Sequence, residues 1–443
     1  MTKRHGYALL AAVLAVVVTL CAAIYLGVAA DDGNGARADV AGGRTSHNAA
    51  APASTGTWVG AWSASPAGAE PGTEPSGLAG RSVRNVVHTA AGGTAARITL
   101  SNLYGRQPLV VTHATIAVAA TANNAAAAVD TMRRLTFGGA TTVVVPSGGQ
   151  VKSDAVRVRV PHGVDVLVTT YSPTPSGPVT YHPRARQISY VADGDRTEDV
   201  SAVPYTEQSP YWRYLTAVDV LSNEATGTVA VLGDSLTDGV TSTVGANRRW
   251  TDVLSERLRA SAGSGTTPRY SVVNQGISGN RVLATGFGRR ADSPSGLSRF
   301  GRDVLDRTNV RAVVIDLGVN DILRNPNQVD PRTVTDGLRT LVRQAHAHGL
   351  RVVGATLMPF QGYRGYTDAR EAVRQTVNAE IRAGRVYDAV VDFDRALRDP
   401  YNPRRLRTDY DSGDHLHPSD KGFRRMADVF DLKDLKGSAP ADL

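Results

Sequence analysis

The sequence predicts an α/β unit on a five-stranded parallel sheet with helices on both faces, preceded by a β-rich, sandwich-like region. Three observations carry this. From about residue 226, five short apolar runs alternate with helical patterns, the signature of a parallel sheet with crossover helices. Before residue 225, short strand-like runs punctuated by Gly, Pro and Ser follow one another with no lasting helical period. The apolar run ending "VAVLGDS" stops abruptly at Gly233-Asp234-Ser235. That places a serine at the carboxyl edge of a strand, where open α/β sheets bind their ligands.

The chain of 443 residues has room for two ordinary domains, and 42% hydrophobic with 20% charged residues is a globular composition. Residues 3–5 read Lys-Arg-His, residues 7–30 carry no charge, and Asp31 and Asp32 follow. Cations before and acids after orient such a segment with its N-terminus in the cytoplasm and the rest of the chain outside. The run is long enough to span a bilayer, and Val28-Ala29-Ala30 is a small-residue cleavage pattern, so signal-anchor and cleaved signal peptide both fit. Cys21 raises a lipoprotein reading, which the bulky Leu20 before it disfavours. Residues 31–56, poor in large apolar side chains, read as a flexible linker.

Residues 57–225 form the β-rich region, with "SVRNVVHTA", "AARITLSNL", "PLVVTHATIAVAA", "TTVVVPSG", "AVRVRVP" and "VDVLVTTYS" as its strand-like runs. The expected role of this region is to pack on the unit that follows, with carbohydrate binding as the alternative. In the α/β unit, residues 226–432, strands are expected at 228–232, 270–274, 311–317, 351–357 and 388–393. "RRWTDVLSERLRA" sets Trp250, Val253, Leu254 and Leu258 on one helical face. "DPRTVTDGLRTLVRQAHAHG" opens with Asp330 before Pro331 and closes at Gly349, cap chemistry at both ends. "AREAVRQTVNAEIRAG" and "DKGFRRMADVF" supply two more helices, and residues 433–443 read as a tail.

The formal charge of +8 rests almost wholly on arginine, lysine standing at only five positions. The arginines are scattered and aromatics make up 6%, which reads as a solvated surface and against a nucleic-acid partner. Cys21 is the only cysteine, so disulfides and cysteine-ligated metals are excluded downstream.

Four motifs carry chemistry. Ser235 follows the first strand, and Thr237-Asp238-Gly239 can start a helix there. The flanks are not those of a G-x-S-x-G elbow. "VVNQGISGNR" ends the second strand with Gly276 and Gly279, each able to bring a backbone N–H close to a ligand oxygen. "IDLGVND" ends the third with Asn320, an amide donor at the same edge, and Asp321 as a cap for the next helix. Near the C-terminus, "DYDSGDHLHPSDKG" sets Asp414 and His417 three residues apart. A serine nucleophile needs a base, and the base needs a carboxylate on its other ring nitrogen. His415 competes for the role of base. The spacing from Asp409 to Asp414 is loosely that of a calcium loop, without the glycine at the sixth position or the glutamate at the twelfth, so no metal is expected.

Together the four blocks resemble the SGNH/GDSL hydrolase superfamily: Ser235 in "GDSLTDG", a glycine in "NQGISGNR", Asn320 in "GVND" and the D-x-x-H of "DHLH". "GANRRWTDVL", "GATLMPF" and "YDSGDHLHPSDKG" resemble its branch of secreted arylesterases and acylhydrolases related to a xylan-utilisation esterase, and "WVGAWSASP" and "VRNVVHTAAGG" extend the likeness into the β-rich region. The resemblance implies a flavodoxin-like sheet and an extracellular serine esterase, with Ser235 as nucleophile, His417 as base and acid, and Asp414 as orienter. It implies an oxyanion hole of the Ser235 N–H, the Gly279 N–H and the Asn320 amide, Gly279 being chosen over Gly276 because the family glycine lies five residues after the strand-ending asparagine, here Asn274. No cofactor is implied. The implied partner is an ester substrate, an acylated polysaccharide among the candidates, with lipid or aryl esters and acyl transfer to carbohydrate as alternatives. A membrane is implied only through an uncleaved N-terminal segment.

Overall fold

The computed structural model describes residues 56–263, 265–285, 293–325, 327 and 329–438. The apolar N-terminal segment, Cys21, the linker up to residue 55 and the last five residues lie outside the described residues.

Five β-branched runs form one parallel sheet: β1 (Gly227–Gly233), β2 (Tyr270–Gly276), β3 (Val310–Asp316), β4 (Arg351–Ala355) and β5 (Ala389–Val391). Their order is β2-β1-β3-β4-β5, all parallel, the flavodoxin-like arrangement the sequence implies. Val229 to Leu232 and Ala312 to Ile315 are wholly buried, as befits strands covered on both faces. The helices that frame the site are α1 (Ser235–Asp238), α2 (Trp250–Ala260), α3 (Val319–Leu323), α4 (Pro331–His346), α5 (Asp368–Arg382) and α6 (Asp420–Asp428), with short helices also at Gly296–Phe300 and Phe393–Leu397. Helix α2 packs with α6, and α4 with α5. The strand order reverses direction at β1, so right-handed crossovers carry the two pairs to opposite faces. Trp250, Val253, Leu254 and Leu258 all face the core. The Asp330 carboxylate caps α4 by accepting from the Arg332 N–H at 2.9 Å, with Pro331 in the first turn.

Register levels the site. Gly233 pairs with Gly276 of β2 and with Asp316 of β3. The loops after β1, β2 and β3 therefore leave the sheet at one height, at the point where the strand order reverses.

The β-rich region is built on two main antiparallel sheets, with a three-stranded and a two-stranded sheet beside them. One runs Thr57–Ser63, Leu215–Ser222, Gly93–Ser101, Val156–Val160, with Gln150–Lys152 also on the third strand. The other runs Glu207–Ser209, Ser189–Asp193, Arg81–His88, Asp165–Ser172, His113–Val118, Arg133–Arg134. Val59, Ile98 and Val218 of the first and Ile116, Val166 and Val168 of the second meet in a shared core. The strand Leu215–Ser222 does not stand out in sequence because Asp219 interrupts its apolar run. Tertiary partners make that charge tolerable: Arg97 and Thr308 donate to its carboxylate at 3.1 and 2.7 Å.

The two regions build one compact unit, Thr55–Leu443. At their junction the Gly60 N–H donates to Thr228 Oγ1 at 3.0 Å and Ser271 Oγ donates to the Gly60 carbonyl at 2.7 Å. Leu432–Leu435 forms a 3₁₀ turn that buries Leu435 completely, and Arg351 Nε donates to the Asp434 carbonyl at 2.6 Å.

Candidate active site

Asp234 ends β1 and caps α1, its carboxylate accepting from the Leu236 N–H at 3.0 Å. Helix α1 thus begins at Ser235 itself, two residues earlier than expected, and Gly239 closes it at φ +86° rather than opening a helix. This cap aims the Ser235 side chain out of the sheet edge while leaving the residue 7% exposed.

Ser235 Oγ lies 2.8 Å from His417 Nε2, and His417 Nδ1 lies 2.5 Å from Asp414 Oδ2. The other Asp414 oxygen accepts from the backbone N–H groups of Leu416 and His417 at 2.9 and 2.8 Å. Burial pushes the Asp414 carboxyl up, but the His417 ring and these two N–H groups outweigh it and hold the group well below the usual carboxylate range. The Asp414 carboxyl is therefore ionised at neutral pH. His415 turns away at φ +67°, donating its N–H to Asp411 at 3.0 Å with its Nδ1 2.7 Å from the same carboxylate, and its ring lies over Gly362. The loop acids have other partners: Asp409 takes Arg407 and Lys421, and Asp411 takes Gly413 and His415.

Asn320 sits in the first turn of α3, with Gly318 at the cap position. Its Nδ2 donates to Asp234 Oδ2 at 2.9 Å and its Oδ1 accepts from Arg324 Nε at 2.7 Å. These two bonds fix which end of the amide is nitrogen, and among the described residues no acceptor takes the second Nδ2 hydrogen. Asp321 is not the helix cap expected. Its carboxylate accepts from the Val282 and Leu283 N–H groups at 2.8 and 3.1 Å, tying down the chain beyond Asn280.

The two glycines of the second block differ physically. A Cβ on Gly276 would meet the Asp238 N at 2.4 Å, and the Gly276 N–H is already spent on Asn274 Oδ1 at 2.8 Å. Gly276 is required for packing against α1. Gly279 has φ +79°, and among the described residues no acceptor takes its N–H.

Three supporting residues escaped the sequence reading. Arg299, fully buried, donates to the Gly233 carbonyl at 2.9 Å, the Gln275 carbonyl at 2.7 Å and Asn280 Oδ1 at 3.0 Å, joining the ends of β1 and β2 to the second-block loop. Asp238 accepts from the N–H and Oγ of Ser278 at 2.9 and 2.5 Å. His182, from the β-rich region, places Nε2 2.9 Å from the other Asp238 oxygen and Nδ1 2.8 Å from the Ser65 carbonyl. Only the second "D" of "GDSLTDG" lies in a motif. Arg299 and His182 are single residues far away in sequence, with no local signal. Burial together with the neighbouring Asp316 pushes the Asp234 carboxyl well above its ordinary range, and burial raises Asp316 too.

Residues 231–425 match the family described as GDSL-like Lipase/Acylhydrolase. Among solved structures, an alpha/beta hydrolase enzyme from the metagenome of Lake Arreo, Spain, is 22% identical over 46% of this chain and 93% of its own, with a TM-score of 0.34. A GDSL-like lipase from Bacteroides thetaiotaomicron VPI-5482 is 19% identical over 46% and 84%, at 0.33. A carbohydrate acetylesterase from Sinorhizobium meliloti is 17% identical over 46% and 95%, at 0.34. No curated protein matches the chain. The matched segment takes in all four blocks, so the chain carries a domain of the GDSL-like lipase/acylhydrolase family, a family of carboxylic ester hydrolases.

Proposed function

We propose that this protein is an extracellular serine esterase acting on short acyl esters, acetyl groups on polysaccharide foremost. The carrying observation is the continuous hydrogen-bonded line from Ser235 Oγ through His417 to Asp414. Ser235 attacks the ester carbonyl as His417 takes its proton, and the alcohol leaves with that proton. Water, activated by the same imidazole, then releases the acyl group. The oxyanion is held by the Ser235 and Gly279 N–H groups and the second Nδ2 hydrogen of Asn320. No metal or organic group takes part in these steps. The preference for polysaccharide acetyl esters rests on the sequence likeness to xylan-utilisation esterases. An ester panel from acetyl to long-chain acyl, with acetylated xylan and a carbohydrate acceptor, tests it. Long-chain or aryl preference makes the protein a lipase or arylesterase, and acylated acceptor among the products makes it a transferase.

Asn320→Ala should lower kcat about 10²–10³-fold with a smaller change in KM, since its amide binds charge that exists mainly in the transition state. An effect confined to KM would remove Asn320 from the oxyanion hole. Gly279→Pro should act similarly by deleting an N–H. Gly276→Pro should instead compromise folding, because a side chain there collides with α1. A well-folded Gly276→Pro that is the more impaired of the two would reverse the choice of glycine.

Export is read from the cation-then-acid flanks of residues 7–30. Mass spectrometry of the native N-terminus separates the two routes. A chain beginning near Asp31 is a cleaved secreted protein, and an intact N-terminus is an anchor on the outer face of the cell membrane.

A further inference from the structure

Ser63 and Ser65 of the motif "WVGAWSASP", and His182, which ends the strand Thr180–His182, reach from the β-rich region to the carboxyl edge of the parallel sheet. Ser65 Oγ donates to Gln275 Oε1 at 2.6 Å, Gln275 Nε2 donates to Ser63 Oγ, and Gln275 is wholly buried near the end of β2. His182 Nδ1 lies 2.8 Å from the Ser65 carbonyl and Nε2 2.9 Å from Asp238 Oδ1. A carbonyl oxygen only accepts, so Nδ1 carries a hydrogen. A second proton lies between Nε2 and Oδ1, because two bare acceptors at that distance repel. The ring is thus bonded at both nitrogens, one to each region, with 4% of its side chain exposed.

Asp238 carries this bond onward. It ends α1, the helix that Ser235 begins, and its Oδ2 accepts from the N–H and Oγ of Ser278 at 2.9 and 2.5 Å. In the second-block loop the Ile277 N–H goes to the Gly233 carbonyl at 3.1 Å and the Asn280 N–H to the Ile277 carbonyl at 2.9 Å. Gly279 stands between these bonded groups, and among the described residues no acceptor takes its N–H. That N–H belongs to the rigid peptide plane joining Ser278 to Gly279. Anchoring Ser278 by both backbone and side chain therefore sets the direction in which the Gly279 N–H points.

We propose that His182 is a positioning residue for the oxyanion hole: acting through Asp238 and Ser278, it presets the Gly279 N–H, so that the β-rich region completes the site of the α/β unit. The kinetic part rests on the esterase reading, and the loop-holding part does not. The test compares His182→Ala, His182→Gln and Ser278→Ala in the full chain. Hydrogen exchange read by mass spectrometry follows the loop. Turnover of 4-nitrophenyl acetate, with inhibition by an alkyl trifluoromethyl ketone whose serine adduct carries an oxyanion, follows the hole. His182→Ala should speed exchange at residues 277–282 and lower kcat about 10–100-fold, the scale of a misplaced rather than a deleted donor. KM should change less, and inhibitor affinity should fall with kcat. His182→Gln, which can still donate to Asp238, should recover most of both losses. Ser278→Ala cuts the link from the loop side and should shift exchange and kcat in the same direction as His182→Ala. Loop exchange at the wild-type rate in a folded His182→Ala, or in Ser278→Ala where His182→Ala does not fold, overturns the proposal. Faster loop exchange with unchanged kcat overturns the link to the oxyanion. If the wild type turns over no ester, the esterase reading fails, and exchange alone decides whether His182 holds the loop.

Discussion

Ser235→Ala is expected to fold as the wild type does and to lose ester turnover by at least ~10³-fold, about 4 kcal/mol of transition-state stabilisation. The side chain is small, among the described residues its hydroxyl meets only the His417 side chain, and the α1 cap belongs to Asp234, so nothing structural depends on the hydroxyl. Residual activity should reflect what the oxyanion donors and binding contribute without a nucleophile. Labelling by an organophosphonate should vanish with the hydroxyl. Persistent labelling at another serine, or turnover close to wild type, would remove Ser235 from the chemistry.

His417→Ala should match Ser235→Ala, whereas His415→Ala should keep most activity. The two rings diverge: one reaches Ser235 Oγ, the other Asp411. Asp414→Asn should fall between, because the amide still accepts from the Leu416 and His417 N–H groups but no longer balances an imidazolium. In wild type, activity should fall toward acid as the imidazole takes a proton, since only the neutral ring accepts one from serine. Asp414 should add no second limb there, because its carboxyl is held below the usual range. A depressed carboxyl stabilises the fold above its unfolded value and loses that contribution as pH falls through the folded value. Asp414→Asn should thus be less stable than wild type near neutrality, with the gap closing in strong acid. A dead His415→Ala beside an active His417→Ala would overturn the assignment.

The five strands of the sheet lie within a few residues of where their apolar runs place them, and so do the four longer helices. Continuous β-branched runs and capped amphipathic periods are local properties. The geometry joining Ser235, His417 and Asp414 follows equally local rules: a strand end, a cap, and a three-residue spacing within one loop. The Leu215–Ser222 strand is different, because the partners that neutralise Asp219 lie on other strands and loops. So is Asp321, which resembles a helix cap until the chain at Val282 folds against it.

By itself the sequence determined the doubly covered parallel sheet, the serine at its carboxyl edge and the Asp414–His417 pair, because backbone periodicity and short spacing express them within a few residues. Only the tertiary structure decided that the Gly276 N–H is taken by Asn274, that Asp234 and Arg324 set the Asn320 amide, and that Arg299 and His182 brace the second-block loop. Apart from the Arg324–Asn320 bond, four residues apart, those outcomes depend on side chains brought together from distant points of the chain, 19 residues apart for Arg299–Asn280 and 86 for Asn320–Asp234. Buried hydrogen bonds over such separations leave no periodic trace, since each partner is chosen by the packing that removes water around it.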